Sequence, residues 1–206
     1  MADPSITTRR LRRTVLAVAA LNLGYFFVEM AVALAIGSVS LFADSVDFLE
    51  DTSINLLIFI ALGWSTRRQA LMGKVMAGII LVPALAALWQ AVAKFSDPTP
   101  PDPISLVVTA GGAIVVNTVC ALLLARTRAH GSSMSHAAYL AARNDVIAGA
   151  LIIAMAGVTA WTLSGWPDIV LGVVIVLING AAAKEVWEVA EEERLAAKAL
   201  AGEEID

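Results

Sequence analysis

The segment Leu41–Phe59 reads LFADSVDFLEDTSINLLIF and places Asp44, Asp47, Glu50 and Asp51 within eight positions of an otherwise apolar run. On a helix at about 100° per residue, Asp44, Asp47, Asp51 and Asn55 fall at roughly 0°, 300°, 340° and 20°. They form one stripe about 80° wide, with Glu50 off its edge at roughly 240°. Carboxylates inside a membrane face protein or water, pair with a cation, or carry a proton. Asp47 and Asp51, four residues apart, converge on one point. Like charges that close resist joint ionisation unless a cation sits between them, so this pair reads as a cation site. Asp44, nearer the helix end, also suits a cap or an interfacial position.

A metal ion needs ligands from more than one element to fix its geometry. The stretch YLAARNDVIAGAL, Tyr139–Leu151, supplies Asp145 at the entry to another apolar run. Ala138, Ala141, Ala148 and Gly149 share its side of that helix, and a face of small residues lets a neighbouring helix approach. Further oxygen donors within reach in sequence are Asp44, Asn55 and Asn144. Arg143 points roughly 160° away from Asp145, and either snorkels outward or reaches Glu50. His136 also points roughly opposite Asp145, about 13 Å along the helix, and His130 falls in a loop. Neither completes the site.

The elements that must hold these groups are helices in a bilayer. The 206 residues are 59% hydrophobic and only 16% charged, with mean hydropathy +0.79. A soluble domain carries more charge. Six apolar segments can be drawn: Thr14–Ile36, Leu41–Trp64, Gly73–Phe95, Ile104–Ala125, Ala137–Leu163 and Ile169–Val189. Each is long enough to cross about 30 Å of hydrocarbon as a helix, and isolated strands cannot satisfy their backbone there. The expected fold class is therefore an all-α membrane protein with six transmembrane helices. The breaks IGSVS, SDPTPPDP and SGWPD carry turn chemistry, and Pro83 is expected to kink the third helix.

Basic residues set the orientation. RRLRR near the N-terminus, Arg67/Arg68/Lys74, Arg126/Arg128 and Lys184/Arg194/Lys198 fall on one side, while the other connections offer only Lys94. Both termini are thus expected in the cytoplasm. The organisation becomes a basic N-terminus (1–13), a six-helix domain (14–189) and a short acidic tail (190–206). Trp64, Trp161, Trp166 and Trp187 lie near helix ends, as interfacial indoles do. Trp89 does not, and reads as packing.

Composition also excludes several classes. The net charge of −4 and scattered basic residues give no nucleic-acid footprint. The single cysteine, Cys120, precludes a disulfide framework and reads as helix packing. The arginines before Val15 resemble a signal peptide's leading region. However, Val15–Ile36 is as long as a bilayer crossing and carries Glu29, so a retained helix is expected.

GSVSLFADSVDFLED followed by a long apolar run resembles the second helix of the cation diffusion facilitators. The fifth-helix acid followed by GWPDIVLGVVIVLI resembles that family's loop and sixth helix. Asn22 and Glu29, seven apart on one face of the first helix, are similar to the pattern in many members. The resemblance implies a homodimeric divalent-metal/proton antiporter, here in the plasma (inner) membrane of a bacterium. It implies efflux of Zn2+ first, with Cd2+, Co2+, Fe2+ or Mn2+ beside it. The metal is substrate rather than cofactor, and no cofactor is expected. The family's tetrahedral site takes two ligands from the second helix and two from the fifth, usually as HxxxD. Asp47 and Asp51 match the first pair and Asp145 the last ligand. The remaining position is Ala141, which cannot bind metal, so the fourth ligand is expected to be missing or to come from water, Asn144, Asp44 or Asn55. The family's usual cytoplasmic domain has no counterpart, as in its shorter members.

Carboxylate chemistry gives the expected mechanism. Metal must displace protons to bind such a site, which makes binding pH-dependent. Oxygen ligands alone also suit manganese, iron(II) or magnesium. A proton-coupled exporter of small organic cations using Glu29 is the alternative, and it leaves Asp47 and Asp51 dispensable. An intramembrane aspartyl or metallo-enzyme lacks its flanking glycines and its HExxH segment. A non-transporting scaffold leaves the acidic stripe unexplained.

Overall fold

The computed structural model describes residues 4–61, 71, 75, 81, 84–128, 133–178, 181, 184, 188 and 195; side chains are described from Arg9 onward, except at 61, 126–128 and 133–141. Pro83, His130, Trp64, Trp187 and the Arg67/Arg68/Lys74 loop lie outside the described residues, as do Arg194 and Lys198. So do the side chains of His136, Ala138 and Ala141. The helices are α1 (Pro4–Ile36), α2 (Val39–Ala61), α3 (84–94), α4 (Pro103–Arg128), α5 (Ser133–Thr162) and α6 (Trp166–Ile178). No strand occurs among the described residues.

Arg9–Ile36, Pro103–Ala125 and Ala142–Thr162 are long and apolar enough to cross a membrane. Helix α2 has 23 residues, about 34 Å at 1.5 Å per residue, so its length also suffices. Its four acids set it apart from these apolar spans. α1 starts well before Thr14, because nothing in Pro4–Arg13 breaks a helix and Pro4 suits a first turn. The exterior is apolar: Phe27, Leu34, Ile104, Val108 and Leu177 are all more than 60% exposed. Such a surface matches lipid rather than water. Trp89, expected to pack, is 76% exposed; it faces outward among the described residues.

Helices α1, α2, α5 and α4 close a ring, with α1 against α2 and α4, and α5 against α4 and α2. Gly149 makes one of these seams. A Cβ there would lie 2.8 Å from Ile114 Cγ1 and 3.5 Å from the Ala110 carbonyl, so the small-residue face of α5 receives α4. Two apolar clusters lie at the ends of the ring. One gathers Ala33, Leu41, Phe42, Leu106, Ala110, Ile152 and Ala156, together with Ala87, Leu171 and Ile175. The other gathers Val15, Val18, Ile58, Cys120, Leu124 and Ala142. Asn22 and Glu29 of α1, the acids and Asn55 of α2, Asn117 of α4 and Asp145 of α5 fall between the two clusters along their helices. The alternating helix directions bring those stretches to one level.

Three connections meet at the end of the molecule where α2 begins. α1 stops in a Schellman turn: Gly37 has φ +65° and the Ser38 N–H donates to the Ala33 carbonyl at 2.9 Å. α2 then begins inside the protein, where its first amides need partners. Asp168, fully buried, supplies two of them. Its carboxylate accepts from Val39 N–H at 2.8 Å and Ser40 N–H at 3.2 Å. It also accepts from the Ser38 and Ser40 hydroxyls, at 2.7 and 2.6 Å. The Leu41 N–H donates to Ser38 Oγ at 3.1 Å. Lys94 donates to the Gly37 carbonyl and, at 3.2 Å, to the Thr99 carbonyl. Gly165 N–H donates to Pro98 O at 2.9 Å. α4 opens nearby on Asp102, whose carboxylate accepts from Ser105 N–H at 2.8 Å and Ser105 Oγ at 2.6 Å. Those bonds hold the exposed Asp102 carboxyl below the usual carboxylate range.

Candidate metal site

The acidic stripe of α2 turns into the ring. Asp44 is 1% exposed, Asp51 4% and Asn55 0%, while Asp47 and Glu50 are half-buried. The hydroxyls interleaved with them satisfy themselves within the helix. Ser45 Oγ donates to Phe42 O at 2.6 Å, Thr52 Oγ1 to Phe48 O at 2.7 Å and Ser53 Oγ to Leu49 O at 2.9 Å. A carboxylate only accepts, so the acids need donors from elsewhere.

Asp51 has one. Asn22 of α1 donates through Nδ2 to Asp51 Oδ2 at 3.1 Å. Asn22 Oδ1 accepts in turn from Cys120 Sγ of α4 at 3.4 Å. This chain fixes the Asn22 amide orientation and leaves the second Asp51 oxygen unengaged by it. Asn55 donates to the Asp51 carbonyl at 2.8 Å, and its own side-chain oxygen is buried without a partner. The Asn117 side-chain oxygen of α4 is also buried and unpartnered.

Asp145 of α5 is half-buried and feels the charges of Asp51, Asp44 and Glu50. Asp47 in turn feels Asp145, Asp44, Glu50 and Asp51. The two helices therefore turn their acids toward a common space. Among the described residues, no three of the acids, histidines or cysteines converge tightly enough to grip an ion as they stand. No ion pair compensates these acids among the described residues. Arg143 is exposed and donates to the Asn144 side-chain oxygen at 3.4 Å. This resolves its two expected routes in favour of snorkelling outward. It also sets Asn144 on the outer side of α5, away from Asp145.

Of the expected ligands, then, Asp47, Asp51, Asp145, Asp44 and Asn55 share the polar belt, and Asn144 does not. Three participants escaped sequence reasoning. Asn22 was legible only through the family-like pattern it makes with Glu29, with no signal for its partner 29 positions away. Asn117 gave no pattern. Cys120 packs as expected and also donates into the belt.

No curated protein matches the chain in a comparison of sequences. Residues 15–193, however, match the family described as the cation efflux transmembrane domain. That match takes in most of α1, all of α2 to α6 and the whole acidic belt, and the chain belongs to the cation efflux family of membrane transporters.

Proposed function

We propose that this transporter exports a divalent metal cation, Zn2+ first, in exchange for protons, through a site made by Asp47 and Asp51 of α2 and Asp145 of α5. The observation that carries this reading is the inward carboxylate stripe of α2 facing the Asp145 carboxylate across the ring. Uncompensated carboxylates in low dielectric are costly. A divalent cation or bound protons remove that cost, and the two compete for the same oxygens.

Loading draws α5 toward α2 until Asp145 joins Asp47 and Asp51, and water or the free Asn55 oxygen completes the shell. Release on the opposite side leaves the acids to take up protons, and the protonated site returns. Alternating access of this kind rocks helices that bear the site against the others. Metal uptake from the cytoplasm weakens as cytoplasmic pH falls, because protons occupy the ligands. The chain works as a homodimer in a bacterial plasma membrane with both termini in the cytoplasm. The segregation of its basic residues supports that orientation.

The test is metal flux into proteoliposomes under a pH gradient, with Zn2+, Fe2+ and Mn2+ compared. Asp51→Asn and Asp145→Asn are each expected to abolish proton-driven flux. Wild-type flux in either variant would refute the site. Ala141→His, which supplies a nitrogen ligand at the family's usual position, is expected to raise the preference for Zn2+ over Mn2+.

A further inference from the structure

We propose a second divalent-cation station formed by Glu29 of α1 and Asp44 of α2, separate from the Asp47, Asp51 and Asp145 ligands. Glu29 is 0% exposed and Asp44 1%. All four of their carboxylate oxygens are buried, and none has a hydrogen-bond partner. The two residues sit beside the same α1–α2 contact, where Ser45 Oγ reaches Met30 Sδ at 3.9 Å, and Glu29 feels the charge of Asp44. Acceptor thus meets acceptor. No donor reaches any of these four oxygens among the described residues. The Tyr25 hydroxyl, which feels both charges, is committed to the Thr109 carbonyl at 2.6 Å, its ring rests on Phe48 at 5.1 Å, and the Ser45 hydroxyl beside Asp44 is committed to the Phe42 carbonyl at 2.6 Å. Asp47 and Asp145 add further negative charge toward Glu29, and no lysine or arginine reaches it among the described residues.

Four buried carboxylate oxygens with no donor are the donor set that a cation takes. A buried polar group without a partner is rare in proteins and calls for a specific cause. Oxygen-only ligands take Mn2+, Mg2+ or Zn2+ with less discrimination than nitrogen or sulfur. The station's place in the ring gives its role. Ala33, one turn beyond Glu29, and Phe42 and Ala43 beside Asp44 belong to the apolar cluster at the end where α2 begins. The pair therefore lies between the Asp47/Asp51 level and that end. If the transport reading above is right, the station receives the ion leaving Asp47, Asp51 and Asp145 on its way out.

Binding stoichiometry tests this on the full chain in lipid nanodiscs, with Zn2+ and separately Mn2+ as probes at neutral pH. Wild type is expected to bind two ions per protomer. Glu29→Gln and Asp51→Asn should each bind one, and the double variant none. Glu29→Asp, which keeps a carboxylate on a shorter arm, should retain two ions with the second held more weakly. Its behaviour, with that of Asp44→Asn, decides the matter if Glu29→Gln does not fold. Two ions in Glu29→Gln and Asp44→Asn alike, or one ion in wild type that both variants retain, would overturn the proposal. One ion lost in Glu29→Gln but none in Asp51→Asn would uphold this station and refute the Asp47/Asp51/Asp145 site instead.

Discussion

At the scale of single residues, the chemistry rests on which carboxylate oxygens have donors. Asp51 has Asn22, and Asn22 has Cys120, so one oxygen of the proposed ligand is oriented before any ion arrives. Outer partners of this kind are worth about 10–100-fold in metal affinity. Asn22→Ala is accordingly expected to weaken Zn2+ binding within that range while leaving the fold intact, as read by competition with a metal-sensitive dye. Cys120→Ser keeps a donor and should have a much smaller effect. Asp102 illustrates the opposite setting, a carboxylate in the open with two donors from Ser105. Because its folded-state carboxyl titrates below the unfolded value, its capping of α4 is present at neutral pH. That contribution is lost as pH falls through the folded value. Hydrogen exchange in the first turn of α4 should rise on acidification below the ordinary carboxylate range, and Asp102→Asn should flatten that response.

At the scale of elements, α2 is the helix that must hold still at one end and present its acids along its length. Asp168, in the first turn of α6, receives the first two amides of α2, 129 and 128 residues away. Asp168→Ala leaves those amides buried without acceptors, each costing about 1–3 kcal/mol. The variant should unfold several degrees lower in a detergent melt. Asp168→Asn, which keeps one acceptor oxygen, should recover part of the loss. Gly172 brings α6 against the same turn, since a Cβ there would sit 2.7 Å from the Val39 carbonyl carbon. Gly149 does the same between α5 and α4. Gly149→Val inserts two methyl groups and a Cβ into that seam, with an expected cost of about 1–3 kcal/mol. It should also reduce flux, because Asp145 lies one turn away.

At the scale of the whole molecule, the arrangement is a polar belt between two apolar clusters, wrapped in a lipid-facing exterior. The connections Gly37–Ser38, Pro98–Thr99 and Ser164–Gly165, with the first turn of α6, are tied to one another by Lys94, Gly165 and Asp168. That end is therefore bolted, while the ring level below it holds the uncompensated charge. The proposed orientation puts the bolted end outside the cell. A cysteine placed at Ser96 in a Cys120→Ala background should react with an impermeant maleimide added to intact cells, and one at Lys184 should react only after lysis. The reverse pattern would invert the topology. Lys184 also pairs with Glu188 at 3.5 Å, but both are exposed and such a pair contributes little.

What the sequence determined on its own follows from local rules. Segment length and hydropathy specify helices in a bilayer, because only an internally bonded backbone survives there. The 3.6-residue period places Asp44, Asp47, Asp51 and Asn55 on one stripe without reference to any neighbour. The small residues around Gly149 announce a close helix seam. The tertiary structure decided the pairings between elements, which no spacing encodes. Asn22 meets Asp51, Asp168 caps α2, Glu29 feels the charge of Asp44, and Arg143 turns outward with Asn144. Each depends on how helices distant in the chain rotate about their axes to bury apolar clusters at both ends of the ring. A rotation that is invisible in the sequence settles whether a buried carboxylate meets a donor, another carboxylate or lipid.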